Sequence, residues 1–186
     1  MSISVQRMAL HEADRIAERL LAELSPGCER IAVAGSIRRR KPDVGDLEIV
    51  AVPARVPNLF GDPGESRLAP ILDRLQHDGF LQRIKGGAYY QQFLMTEFDC
   101  KLDLFTPGVE TWGVVFTQRT GSAEFAHQLM TSDQNRTSTG RRGLMPVGHR
   151  VYMARLWRGH EMLQTREEEE FFQALQVPWL KPEERR

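Results

Sequence analysis

The chain has 186 residues, 41% of them apolar, which suffices for the core of one ordinary domain or of two small lobes. Its formal net charge is zero, with 25 basic and 25 acidic residues, which excludes a protein that holds nucleic acid through a global positive field and leaves only local patches for that purpose. No apolar run approaches the roughly 20 residues of a membrane span, the N-terminal MSISVQRMALHEAD carries charges where a signal peptide needs apolar residues, and Cys28 and Cys100 form no CxxC pair, so a soluble cytoplasmic protein in a reducing setting is expected.

Apolar residues recur at helical spacing from Met8 to Leu24 until Ser25-Pro26-Gly27 stops them, predicting an amphipathic helix. Arg30 to Ala34 reads as a short strand broken by Gly35-Ser36. Ser36 is placed to cap a short helix holding Arg38 and Arg39, which Pro42 ends, and Asp46 to Val52 is the next strand. Pro, Gly, Asn and Asp between Pro53 and Glu65 predict a loop, and Leu68 to His77 a second packed helix. Gly86-Gly87 divides Phe80 to Lys85 from Ala88 to Met95 in the manner of a hairpin, and Asp99 to Phe105 is a further strand.

The order α-β-α-β-α-β-β-β predicts an α+β fold in which a mixed sheet carries helices on one face. Pro107-Gly108 marks a lobe boundary, giving domains of 1–108 and 109–186. In the second lobe, Thr111 to Met130 has a helical second half, Thr131 to Gly148 is rich in Ser, Thr, Gly and Arg, and Glu167 to Leu175 forms a helix before the closing VPWLKPEERR. The histidines at 11, 77, 127, 149 and 160 lack the spacing of a structural zinc site.

Chemistry concentrates in GSIRRRKPDVGDLEIVAVP, Gly35 to Pro53. Side chains alternate across a strand, so Asp46 and Glu48 share a face with Val50, and Asp103 on the later strand shares one with Lys101 and Phe105. Three acids converge if these strands are neighbours. The apolar run LEIVAV predicts a strand buried on both faces with acids near its start, and buried carboxylates need cations, either arginines or hard divalent ions that take oxygen ligands. A Gly-Ser break between a strand and a helix offers backbone N–H groups and a hydroxyl to an anion, with arginines one turn on. That is half of a triphosphate site; carboxylates holding metal ions across the reacting phosphate are the other half.

At the level of these motifs the chain resembles the nucleotidyltransferase superfamily, and within it the family X DNA polymerases. The resemblance rests on Gly35-Ser36-Ile37-Arg38-Arg39 followed by Gly45-Asp46-Leu47-Glu48, on Lys101-Leu102-Asp103-Leu104, and on Thr120-Gly121-Ser122 within RTGSAEF. TREEEEFFQALQVPWLKPEERR, from Thr165 to Arg186, is similar to the end of the thumb in that family. The resemblance implies a nucleotidyltransferase palm over 1–108 and a small polymerase-beta-like α+β thumb over 109–186, without the fingers or lyase domain of larger members. It implies two Mg²⁺ ions, replaceable by Mn²⁺, on Asp46, Glu48 and Asp103. Gly35, Ser36, Arg39 and Gly45 would hold the triphosphate, and Thr120, Gly121 and Ser122 would shape the sugar and base pocket.

Several positions depart from the family pattern. Glu48 stands where the DNA polymerases usually have Asp, Gln118 and Arg119 where well-known members carry aromatic residues that exclude ribonucleotides, Ala126 where an Asn commonly reads the base, and Met130 where some carry a template-contacting Arg. Arg136, Arg141 and Arg142, with further arginines and Tyr152 and Trp157, suit sequence-independent contacts to duplex phosphates. The resemblance implies a monomeric, metal-dependent DNA polymerase that takes dNTP and a primer-template or gapped DNA, acting in gap-filling repair. The alternatives are a template-independent or non-DNA nucleotidyltransferase, and a DNA-binding module without catalysis.

Overall fold

A computed structural model describes residues 7–56 and 64–186; the middle of the loop expected after Pro53 lies outside the described residues. Packing divides the chain into two units, Met1–Thr106 and Pro107–Arg186, each with its own hydrophobic cluster.

The first unit opens with β1 (Met8–Ala9) and α1 (Leu10–Leu24), then β2 (Cys28–Val33), the single helical turn α2 (Gly35–Arg38), the short β3 (Asp43–Val44) and the long β4 (Asp46–Pro53). β5 (Arg55–Val56) and β6 (Glu65–Ser66) pair with each other, α3 (Leu68–His77) follows, and β7 (Leu81–Lys85), β8 (Tyr90–Met95) and β9 (Cys100–Phe105) complete the unit. The five-stranded sheet has the order β2-β4-β9-β8-β7, with β4 and β9 parallel and every other neighbour antiparallel.

Both long helices pack on one face of that sheet. Ile16, Leu20 and Leu24 of α1 and Leu68, Leu72 and Leu75 of α3 join Leu47, Ile49, Leu102, Leu104, Phe93 and Met95 in one core. Each such side chain contributes roughly 1.5–3 kcal/mol on burial. The i, i+4, i+7 leucines define the buried stripe of α3, and the chain leaves that helix through Gly79 (φ +75°), where Gly79 N donates to Gln76 O and Phe80 N to Leu75 O. The opposite sheet face changes along β4 from the half-buried Asp46 and Glu48 to the buried Val50 and Val52.

Three local expectations change. Met8 and Ala9 do not open α1 but pair as a strand with β3, because Ala9 is extended and a short apolar start fits either period. Ser36 does not cap α2; Ala34 is the N-cap and Ser36 lies inside the turn. The helix ends at Arg38 rather than at Pro42, since Arg40 adopts a left-handed conformation (φ 56°) that turns the chain toward β3.

The second unit contains α4 (Trp112–Thr120), α5 (Ala123–Met130), the antiparallel sheet β10 (His149–Tyr152), β11 (Arg155–Arg158) and β12 (Glu161–Leu163), and α6 (Glu168–Ala174). Helix therefore covers the first half of the 111–130 segment as well as the second, interrupted at Gly121-Ser122. A methyl on Gly113 would lie 2.1 Å from Glu167 O, so this glycine sets the close approach of α4 to the start of α6. Val114, Phe125, Leu129, Leu156, Phe171, Phe172 and Leu175 form the core. Among the described residues no helix is long and apolar enough to cross a membrane.

Candidate functional site

The parallel pairing of β4 with β9 sets Glu48 opposite Asp103 and Asp46 opposite Lys101, all on the face away from the helices. In a parallel ladder, residues in register project to the same side, so the three carboxylates lie along two adjacent strands. The Asp46 carboxyl is pushed above its ordinary range, first by burial and next by the negative charge of Asp103, against the opposing pull of Arg7, Lys101 and Arg39.

The crossing from β2 to α2 touches the same place. Ala34 N donates to Glu48 O at 2.8 Å, and Gly35 follows in a left-handed conformation (φ +60°). A methyl on Gly35 would lie 1.9 Å from Glu48 Oε2, so the Glu48 carboxylate occupies the space that the missing side chain leaves. The Ser36 hydroxyl is buried and has no hydrogen-bond partner among the described residues. An unsatisfied buried hydroxyl beside a helical turn suits a polar ligand. Arg39 is the C-cap of α2; burial lowers its guanidinium pKa and the charges of Glu48 and Asp46 raise it, which places it beside both acids.

Gly45, just before Asp46, sits against Arg7, and Arg7 also binds the Asp43 carboxylate. Arg40 reaches Asp14 at 3.5 Å across an exposed surface and takes no part in the acidic face. The first unit thus brings together Gly35, Ser36, Arg39, Gly45, Asp46, Glu48 and Asp103. Sequence reasoning missed three of their neighbours. Arg7 reaches Asp43 across 36 residues through the β1–β3 pairing, which has no local signature. Tyr90 and Gln92 each hydrogen-bond Asp103 Oδ1, at 2.9 and 2.8 Å, and their alternation along a hairpin strand was the available signal.

Among the described residues no three acidic, histidine or cysteine side chains close on a point as a finished metal cage. The donor set nonetheless fits a hard divalent ion, which commonly takes one or two carboxylates and completes its shell with water and substrate phosphate. The observations behind that fit are three carboxylates on one face of two neighbouring strands and, at the adjoining turn, a buried Ser36 hydroxyl without a partner among the described residues.

In the second unit Thr120 is fully buried at the end of α4, Gly121 is the C-cap, and Ser122 caps α5 by accepting from Phe125 N at 3.1 Å. A methyl on Gly121 would lie 2.4 Å from the Phe125 ring. Ser122 N donates to Arg185 O, and Gly121 N to Thr117 O. Thr120, Gly121 and Ser122 therefore form a rigid junction between two helices, with the serine hydroxyl engaged in capping.

Arg136, Arg141 and Arg142 are exposed, and each donates from its side chain to a backbone carbonyl: Gly140 O, Arg186 O and Asp133 O. They knit the 131–148 segment together, and their outward nitrogens remain on the surface. The hairpin β10–β11 adds Arg150, whose guanidinium lies 5.9 Å from the Trp157 ring, and the exposed Tyr152 and Arg155.

Residues 116–186 match the family model described as DNA polymerase beta thumb. The match covers less than half of the chain and likens that part to the thumb of a DNA polymerase. No curated protein matches the chain.

Proposed function

We propose that the chain is a metal-dependent nucleotidyltransferase of the family X DNA polymerase type, transferring a nucleotide from dNTP to a primer 3′-hydroxyl at gaps in DNA. The observation that carries the reading is the acidic face of β4 and β9, where Glu48 stands opposite Asp103 with Asp46 two residues away and Arg39 alongside. The thumb match over residues 116–186 supports DNA as the polymer extended.

Asp46, Glu48 and Asp103 would hold Mg²⁺ or Mn²⁺. When bound, two such ions lower the pKa of the attacking hydroxyl and neutralise the departing pyrophosphate. The chain's own groups do the rest. The backbone at Gly35 and the Ser36 hydroxyl donate to phosphate oxygens, and Arg39 supplies charge-assisted hydrogen bonds to the triphosphate. Asp103 orients the primer hydroxyl through its outward oxygen. The arginines of the second unit hold duplex phosphates without reading sequence.

The test is extension of a primer across a short gap with Mg²⁺ or Mn²⁺ and each dNTP or rNTP, repeated with Asp103→Ala. Templated extension that disappears in the variant is the expected result. Addition without a template would point to a terminal-transfer enzyme, and DNA binding with no nucleotide added under either metal would leave a binding module.

A further inference from the structure

We propose that Tyr90 and Gln92 are positioning residues for Asp103, fixing one carboxylate oxygen so that only the other is offered to a divalent cation and the attacking hydroxyl. The inference rests on the proposed reaction and concerns two side chains that no motif of that reaction includes.

An aspartate on a strand can rotate about two side-chain bonds, and nothing in its own strand fixes which oxygen faces outward. Here the neighbouring strand does so. Gln92 stands directly opposite Asp103 in the antiparallel β8–β9 register and donates from Nε2 to Oδ1 at 2.8 Å. Tyr90 stands opposite Phe105, and its ring stacks on that phenyl with centroids 5.0 Å apart and planes 22° from parallel. The stacked ring sends its hydroxyl diagonally back to the same Oδ1, at 2.9 Å. Phe105 is itself buried, so the platform beneath Tyr90 is fixed.

Two donors saturate the lone pairs of Oδ1, and among the described residues no hydrogen bond to Oδ2 accompanies them. Both donors are neutral. A lysine or arginine in either place would orient the carboxylate and also neutralise it, whereas a phenol and an amide hold its direction and leave its full negative charge for a cation. A short amide reaching straight across and a phenol clamped by stacking also restrain two different rotations, so each compensates only partly for loss of the other.

The experiment uses the full chain with Tyr90→Phe, which keeps the ring and its stacking, Gln92→Leu, and the double variant. Mn²⁺ binding is followed by electron paramagnetic resonance and calorimetry without nucleotide or DNA, beside wild type and Asp103→Ala. Wild type should bind Mn²⁺ in a manner that Asp103→Ala weakens, and the double variant should bind about tenfold more weakly than wild type with an unchanged circular dichroism spectrum. On gapped DNA the double variant should lose about 10–100-fold in kcat with little change in KM for dNTP. Wild-type Mn²⁺ affinity in the double variant overturns the proposal, as does Mn²⁺ binding by wild type that is indifferent to Asp103. If Gln92→Leu fails to fold, Tyr90→Phe decides alone, with a threefold or greater loss of Mn²⁺ affinity expected and none overturning it. Asp103-dependent Mn²⁺ binding weakened as expected, in a protein that extends no primer, would keep the positioning role and discard the polymerase reading.

Discussion

Replacing Arg185 by alanine should unfold the second unit more readily than any surface change. Arg185 is fully buried, donates to both carboxylate oxygens of Glu168 at 2.5 and 3.3 Å and to Leu180 O at 3.0 Å, and lies 5.0 Å from the Phe172 ring and 5.6 Å from Trp179. Glu168 is 5% exposed and also accepts from the buried Thr117 hydroxyl at 3.2 Å. Removing one partner leaves the other's charge buried and unpaired, which costs about 3–5 kcal/mol. The exposed pair Arg158–Glu161, at 2.6 Å with both side chains more than half accessible, should contribute no more than about 1 kcal/mol when Arg158 becomes alanine.

The tryptophans Trp112, Trp157 and Trp179 all lie in the second unit, so urea unfolding followed by tryptophan fluorescence reports on that unit. With a slope of about 1–2 kcal/mol per molar urea, Arg185→Ala should lower the midpoint by roughly 1.5–5 M. Arg185→Met combined with Glu168→Leu should recover much of that loss, because both charges and their desolvation are removed together. A loss below about 1 kcal/mol for Arg185→Ala, or no recovery in the double variant, would refute the reasoning from burial.

Gly35→Ala should abolish or strongly reduce nucleotide addition while the chain remains folded, because the new methyl meets Glu48 Oε2 and the residue must hold φ +60°, at a cost of about 1–2 kcal/mol; wild-type extension rates in this variant would remove Glu48 from the site as described. Burial pushes the Cys28 thiol up to about 11 from an ordinary 9.0, so native Cys28 should react with iodoacetamide at pH 8 far more slowly than free cysteine. Since the unfolded chain releases this proton first, the thiol's contribution to stability should fall as pH rises from 9 toward 11, and a pH-independent urea midpoint there in the cysteine-containing chain relative to Cys28→Ala would contradict it. Each of Arg136→Ala, Arg141→Ala and Arg142→Ala should reduce the slope of log affinity for duplex DNA against log salt by about one; three unchanged slopes would take these arginines off the DNA face.

What could be read from residues alone follows from how strongly local pattern constrains each element. Leu68, Leu72 and Leu75 with Gly79 beyond them define a helix and its stop, and the span read from the sequence is the span found. The facial alignment of Asp46 with Glu48 is equally local, because alternation along a strand admits one arrangement. That Glu48 meets Asp103 depends on β4 and β9 being neighbours, which nothing between residues 48 and 103 dictates. The start of α4 was illegible because Trp112 to Thr117 is buried on every side, leaving no polar face to set a period. The sheet β10–β12 was missed for another reason: its first two-residue turn is Met153-Ala154, with φ of 51° and 59°, where Asn-Gly would be the expected signal. Arg7, Tyr90 and Gln92 reach the acids only through strand pairings, so they become visible once the topology is known.

The Met153-Ala154 turn gives anyone engineering the chain a place to begin. Two residues with β-carbons held in a left-handed conformation carry strain of roughly 1 kcal/mol each or more, and Met153 is 74% exposed, so no core contact obliges its side chain to be there. Writing Asn-Gly in their place would relax the hairpin and remove an exposed thioether that air slowly oxidises, making a sturdier and longer-lived preparation without disturbing either core.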